Sequence, residues 1–258
     1  MEISGNTESN FKSKTVKSKS VKCKSQTDII ILSFVSRFSA FLCFLLYVKK
    51  WENMAKSAVV LSFHEILLHQ SDVALLSGPH WLNDTIISFY FEYLEKFIFS
   101  EAKDLLFVSP EVTQCIKMVE TNDIGIFLEP LQITTKKFVF FALNDNSSPD
   151  TAGGSHWSLL IFSRNENSFF HFDSSSGMGG LKLRGCRFKS HTLFLLYHCQ
   201  QQSNGYDCGV HVICNTEKLA QHAYSHGDIN SCDMSIQINP SAKRKELLNI
   251  ISSLSKSK

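Results

Sequence analysis

The sequence predicts an α+β domain with a central sheet and helices before and after it. Two patterns carry this: short runs dense in aromatic and branched residues cluster in the middle of the chain, and segments with helical apolar spacing lie on either side. No internal repeat competes with a single-core arrangement. A chain of 258 residues, 43% hydrophobic and 19% charged, can bury one sizeable core and is far from a disordered composition. With 12 Gly and 5 Pro it is neither collagen-like nor linker-dominated.

Residues 1–53 read as an N-terminal extension. Lys12, Lys14, Lys17, Lys19, Lys22 and Lys24 recur among Ser and Thr with few apolar partners, so the first stretch cannot offset its ordering entropy. Residues 29–48 then form an apolar run, interrupted by Ser33, Ser36, Arg37 and Ser39, that is long enough to span a bilayer. Arg37 opposes insertion by about 2.5–3.5 kcal/mol, whereas each Ile, Leu, Phe or Val returns about 0.3–0.6 kcal/mol, so an anchor is arithmetically allowed. The other reading is an extension outside the working domain, with translation beginning at Met54. A cleaved signal peptide is disfavoured by the long polar stretch ahead of the run.

Residues 54–258 form the folded domain. Asp84 to Phe99 carries apolar residues at helical spacing behind Asn83 or Asp84 as the cap. Ser109-Pro110-Glu111 opens a second helix, with Val112, Cys115, Ile116 and Val119 on one face. Phe138 to Leu143, Trp157 to Phe162 and Ser168 to Phe172 read as strands between turn-forming clusters. Thr192 to Tyr197 can supply another, and residues 209–221 and 241–254 read as closing helices.

Charge and cysteine usage narrow the function classes. Residues 1–53 hold 9 Lys/Arg against 4 Asp/Glu, which leaves 17 against 20 for the remainder, so the folded part is slightly acidic and no nucleic-acid partner is expected. The 8 cysteines include no CxxC pair and no evenly spaced framework, which points to a reducing compartment.

Thiol-dependent hydrolysis needs a nucleophile, a base, a group that orients the base, and oxyanion donors. Cys208 follows the turn-rich Asn204-Gly205-Tyr206-Asp207 and precedes the apolar pattern of Val210, Val212 and Ile213. That puts it at a helix N-terminus, where the dipole favours a thiolate. Gly209 would leave room there for a substrate backbone. His156 opens one strand and Asp173 ends the next. A hairpin turning at residues 164–167 makes them cross-strand neighbours, so Asp173 can hold His156 as the base. Gln202 can add an amide donor to the Cys208 backbone N–H.

Taken singly, each has a plainer reading. Cys208 could be a small buried hydrophobe, His156 a satisfied strand-start histidine, and His171 and Asp173 polar residues at a strand edge. Cys208, His211 and Cys214 are spaced by three, but on one helix they spread over about 120° of the cylinder, too wide to converge on zinc. No metal is therefore expected.

The residues in this pattern resemble those of the ubiquitin-like-protein-specific (sentrin/SUMO) cysteine proteases, most of all the deneddylating members. The similarity is carried by Gln70-Ser71-Asp72-Val73, Trp81-Leu82-Asn83-Asp84, Ser109-Pro110-Glu111-Val112, Phe127-Leu128-Glu129-Pro130 and Asn144-Asp145-Asn146. It continues in Gly153-Gly154-Ser155-His156-Trp157, Phe170-His171-Phe172-Asp173-Ser174 and Asp207-Cys208-Gly209. It is near gapless from about Leu61 to Asp173, resumes at Gln202 and fades through the last helix.

The resemblance implies a papain-like (adenain/ubiquitin-like protease) fold with a mixed sheet. It implies His156, Asp173, Cys208 and Gln202 as the catalytic set, with no cofactor. It further implies that the Gly-Gly tail of a ubiquitin-like modifier threads between Trp81 and Trp157, with Asp84 contacting the tail. The expected activity is isopeptide cleavage, most of all deneddylation, with SUMO cleavage or an inactive modifier-binding module as alternatives. A monomer of cytoplasm and nucleus is expected, or a membrane-held one if residues 29–48 insert. In this family a helix and a strand separate the acid from the nucleophile. Residues 174–201 are shortened and Gly- and basic-rich after Ser174, so a missing helix, an exposed apolar patch and a less stable domain are expected.

Overall fold

The structure, a computed structural model, describes residues 58–119, 123–148, 153–175, 193–235 and 237–256. The N-terminal extension with its apolar segment 29–48, and residues 176–192 of the shortened stretch, lie outside the described residues.

Val59–Phe63 (β1) and Ile66–His69 (β2) pair as an antiparallel hairpin. Its turn uses His64 in the left-handed region, with φ of 47°. Sequence reasoning missed this hairpin because such turns are usually announced by Asn-Gly or Asp-Gly, whose backbones accept positive φ easily. Gln70–Ala74 (α1) follows at once, and Asp72 turns back to accept the His69 N–H at 2.9 Å.

Asp84–Tyr93 (α2) starts where the apolar spacing places it, and Asn83 is the cap, accepting the Ile86 N–H at 3.1 Å. Its residues from Thr85 to Phe91 are all buried. The helix does not run on to Phe99 as expected. Leu94–Ile98 widens into a turn of π-helix, closed by the Phe99 N–H on the Leu94 carbonyl at 2.7 Å. The wider turn carries the Phe97 ring round to lie 5.5 Å from Tyr93 and 5.6 Å from Phe63.

Leu105–Val108 (β3) leads to Pro110–Met118 (α3), where Ser109 caps the Val112 N–H at 3.3 Å and Pro110 takes the first position. Val119 falls outside this helix in extended backbone. After the short Gly125–Leu128 (α4) come Phe138–Asn144 (β4), Trp157–Ser163 (β5), Ser168–Phe172 (β6) and Leu193–Tyr197 (β7). Cys208–His226 (α5) ends at Gly227, whose φ of 81° suits glycine, and Pro240–Lys256 (α6) closes the described chain.

Five strands form one mixed sheet in the order β3-β4-β5-β6-β7, parallel at its two outer pairs and antiparallel between β4, β5 and β6. Alternation along the strands builds two cores. Phe138, Phe140, Ala142, Leu159, Ile161, Phe170 and Phe172 face the helices α2 and α5. Val139, Phe141, Leu143 and Leu160 face the other way, against Val112 and Ile116 of α3. The edge strand β7 packs Leu195 and Tyr197 on the first core and leaves Leu193, Phe194 and Leu196 exposed. The expected missing helix and the patch it would expose concern the 174–201 stretch, of which residues 176–192 lie outside those described.

Because β5 and β6 are antiparallel, the start of β5 and the end of β6 meet at one end of the sheet, where the N-terminus of α5 also arrives.

Candidate active site

Leu159 pairs with Phe172 and Ser163 with Ser168. Continued one step, this register sets Asp173 opposite Ser158, so His156 lies two residues beyond direct opposition. The side chains nevertheless meet, because both residues have left the ladder: His156 Nε2 and Asp173 Oδ1 are 2.6 Å apart. The same carboxylate oxygen accepts the Ser175 N–H at 2.9 Å. The Asp173 carbonyl is held as well, by Cys199 Sγ at 3.3 Å and Gln201 Nε2 at 3.0 Å. The acid is thus fixed through its backbone and its side chain.

His156 is fixed likewise. Asp145 Oδ1 accepts the His156 N–H at 3.1 Å and the Ser155 N–H at 2.6 Å, while the Asp145 N–H donates to the His156 carbonyl at 3.1 Å. Sequence reasoning gave Asp145 no role, although Asn144-Asp145-Asn146 is itself a turn-forming signal. Just upstream, Gly154 has a φ of 98° and lies so close to Asn144 that a Cβ would stand 1.8 Å from its Oδ1. Only glycine fits that bend.

Cys208 is the first residue of α5 and is 1% exposed, and its sulfur acts electrostatically on the His156 imidazole. Asn204 shapes the loop ahead of it, accepting the Tyr206 and Asp207 N–H groups at 3.0 Å each. Gln202 is anchored at both ends of its amide. Its oxygen accepts Ser174 Oγ at 2.8 Å and its nitrogen donates to the Asn204 carbonyl at 2.6 Å, leaving one amide hydrogen for another acceptor.

Burial disfavours the charged form of His156, but the Asp173 carboxylate and the Cys208 sulfur outweigh it and push the imidazole up to about 10. For Asp173, burial acts upward, and the bonds from His156 and the Ser175 N–H overcome it and lower the carboxyl. Burial raises the Cys199 thiol to about 11 and the Cys214 thiol to about 12, which makes both poor nucleophiles at neutral pH. His171 is buried, its ring bonded to Ser158 Oγ at 2.9 Å, and is a sheet residue rather than part of the site.

Trp157 is 9% exposed, and its indole N–H donates to the Leu82 carbonyl at 2.9 Å. Trp81 is 50% exposed, so core packing does not account for it; its N–H reaches across to the Gly205 carbonyl at 2.5 Å, on the loop before Cys208. Asp84 heads α2, with Oδ1 on the Thr85 N–H at 3.0 Å. The reading of Gly209 as room for a substrate backbone is corrected: a Cβ there would stand 3.0 Å from Leu82 Cβ and 3.5 Å from Trp157 Cδ1. Its missing side chain admits the Leu82–Trp157 wall itself.

A buried sulfur at a helix N-terminus, an imidazole held by an acid, and amide donors beside them can carry out acyl transfer through a thioester. Among the described residues no group of three or more His, Cys, Asp or Glu could hold a metal ion.

Comparison with known proteins agrees with this chemistry. Residues 80–237 match the sequence profile of the Ulp1 protease family, C-terminal catalytic domain. Sentrin-specific protease 8 of Rattus norvegicus is 41% identical over 209 residues, covering 77% of this chain and 96% of the relative. NEDD8-specific protease 1 of Arabidopsis thaliana is 31% identical over 186 residues, covering 68% and 81%. Among solved structures, the C-terminal Ulp1 protease domain in complex with Smt3, the yeast ortholog of SUMO, superposes with a TM-score of 0.60 at 18% identity. That match covers 78% of this chain and 89% of the domain, and it bears on the fold alone. A mixed sheet between helices, a profile over most of the described domain and a 41% identical relative matched nearly end to end lead to one conclusion: the chain belongs to the Ulp1 protease family.

Proposed function

We propose that this cysteine peptidase removes the modifier NEDD8 from its conjugates, with Cys208, His156, Asp173 and Gln202 as its working residues. Support for the modifier comes from the relatives of Rattus norvegicus and Arabidopsis thaliana, the second of which is named for NEDD8. The observation that carries the chemistry is the 2.6 Å contact of His156 Nε2 with Asp173, on an imidazole whose pKa the Cys208 sulfur also raises.

With Nε2 held by the acid, Nδ1 is the nitrogen left to face the thiol. Cys208 Sγ, as thiolate, attacks the carbonyl carbon of the modifier's terminal glycine. The resulting oxyanion is met by the Cys208 backbone N–H and the remaining amide hydrogen of Gln202. The C–N bond breaks as the imidazolium gives its proton to the departing lysine amine, leaving a thioester. Neutral His156 then takes a proton from water, the hydroxyl attacks the thioester carbon, and the thiol is regenerated with release of the modifier's carboxylate.

The tail is taken to lie between Trp81 and Trp157, where residues without a Cβ can lie flat against indoles, with Asp84 at its outer part. The enzyme works as a monomer in this reading. Residues 29–48 decide between a soluble enzyme of cytoplasm and nucleus and a membrane-held one, and fractionation of cells expressing the full chain separates the two.

Vinyl-sulfone forms of NEDD8, SUMO and ubiquitin test the proposal. The NEDD8 probe is expected to cross-link to the wild-type chain, and Cys208→Ala is expected to lose both cross-linking and cleavage while still binding the modifier. Capture by the SUMO probe alone would reassign the substrate, and capture by none would leave a binding module.

A further inference from the structure

Arg244 lies on α6, beyond the 80–237 span of the family profile, and nothing in the sequence singles it out. Flanked by Lys243 and Lys245, it reads there as part of a solvated basic face. In the fold it is 6% exposed and makes four hydrogen bonds. Its Nε and Nη2 donate to Asp207 Oδ1 at 3.2 and 2.8 Å, Nη1 donates to the Leu75 carbonyl at 2.8 Å, and Nη2 also donates to the His80 carbonyl at 2.7 Å.

The partners matter for where they sit in the chain. Asp207 immediately precedes Cys208, and His80 immediately precedes Trp81. One guanidinium therefore joins the loop that presents the sulfur to the segment that presents the exposed indole. A second tie, from Trp81 Nε1 to the Gly205 carbonyl, joins the same two walls nearer the surface. Asp207 passes the constraint on, because its other oxygen accepts Asn204 Nδ2 at 2.7 Å.

Neutralising Asp207 would need only a charge, and an apolar pair can often replace such a contact without loss of stability. The two carbonyl bonds go further, since they use the fixed fork of a planar guanidinium, which an ammonium does not reproduce.

We propose that Arg244 is a positioning residue, which sets the Trp81 wall in register with Cys208 so that a bound tail lies with its reacting carbonyl over the sulfur. The inference rests on the reading of Cys208 as nucleophile.

The test uses the full chain labelled with 5-fluorotryptophan, its Trp81 resonance assigned with Trp81→Phe. The variants are Arg244→Met and the double variant Arg244→Met/Asp207→Asn, which leaves no stranded carboxylate. Three quantities are read: the fluorine spectrum, cleavage of NEDD8-aminomethylcoumarin, and alkylation of Cys208 by iodoacetamide. In both variants the Trp81 signal should shift while Trp157 stays, and kcat/KM should fall about tenfold to hundredfold, the scale expected of a small misplacement. Alkylation should keep its wild-type rate and pH profile, because Arg244 touches neither His156 nor Cys208.

An unmoved Trp81 signal, undiminished kcat/KM, or a parallel loss of cleavage and alkylation would each overturn the proposal. A wild-type chain that cleaves no modifier would instead sink the protease reading, and the fluorine spectrum would still decide whether Arg244 couples the two walls.

Discussion

Gly154→Ala probes how tightly the turn before His156 is built. The new Cβ would stand 1.8 Å from Asn144 Oδ1 and 2.7 Å from its Cγ, so the whole amide must swing away. That movement breaks the bond from the Asn146 N–H to Asn144 Oδ1, 2.8 Å long in the native turn. Alanine must also adopt the φ of 98° or shift the backbone. The conformational penalty is about 1–3 kcal/mol and the lost hydrogen bond about 1 kcal/mol, so stability should fall by roughly 2–4 kcal/mol. For a domain of this size, that corresponds to a Tm lower by about 5–15 °C. Activity should fall further than the folded fraction does, because Asp145 and His156 share two backbone contacts directly downstream of the bend. Circular-dichroism melting and initial rates of modifier cleavage well below Tm measure the two effects. Gly153→Ala is the control: the nearest atom to its Cβ would be 4.0 Å away, so it should be close to neutral. Equal Tm values for the Gly154 variant and wild type, or equal losses in the Gly153 and Gly154 variants, would refute the reasoning.

Two further predictions concern the site. His156 is held above its ordinary range, so its pairing stabilises the fold fully below about pH 6.5 and loses that contribution as pH rises through its folded pKa, which is about 10. Asp173 describes the same contact from the acid side, its contribution present above the ordinary carboxyl range and lost as pH falls through its lowered pKa. Asp173→Asn should therefore move the alkaline limb of the kcat/KM profile to lower pH and narrow the stability margin between neutral pH and pH 10; an unmoved alkaline limb counts against Asp173 as the orienter. Trp81→Ala removes a half-exposed ring and its bond to Gly205, so it should raise KM for a modifier substrate on the order of tenfold with little change in Tm, as expected for a substitution outside the core. A KM equal to wild type would remove Trp81 from the tail-binding site.

The elements that were legible in the sequence are those whose pattern is local. Asn83 and Ser109 announce helices by cap chemistry, and β4 to β6 announce themselves by aromatic density between turn residues. The β1–β2 hairpin was illegible because His64 supplies a backbone conformation usually signalled by Asn or Gly, and β3 because a four-residue apolar run has no readable period. In the site, the approach of His156 to Asp173 followed from hairpin geometry, whereas the two-residue offset from the ladder did not. Gly209 reads as room for a substrate because its actual neighbours, Leu82 and Trp157, are distant in sequence. Arg244 lies beyond reach for the same reason: its three acceptors come from two stretches far from it in sequence, residues 75–80 and Asp207, and a basic residue in a polar helix gives no sign of being buried.

The near-complete enclosure of the Cys208 sulfur also bears on inhibitor chemistry. With the tail path proposed between Trp81 and Trp157, an electrophile would have to approach the sulfur as an extended backbone does, so slender warheads on flat, glycine-like peptides should discriminate this thiol from superficial cellular thiols, and bulky ring reagents should spare it. Selectivity would then be won by cross-section more than by intrinsic reactivity.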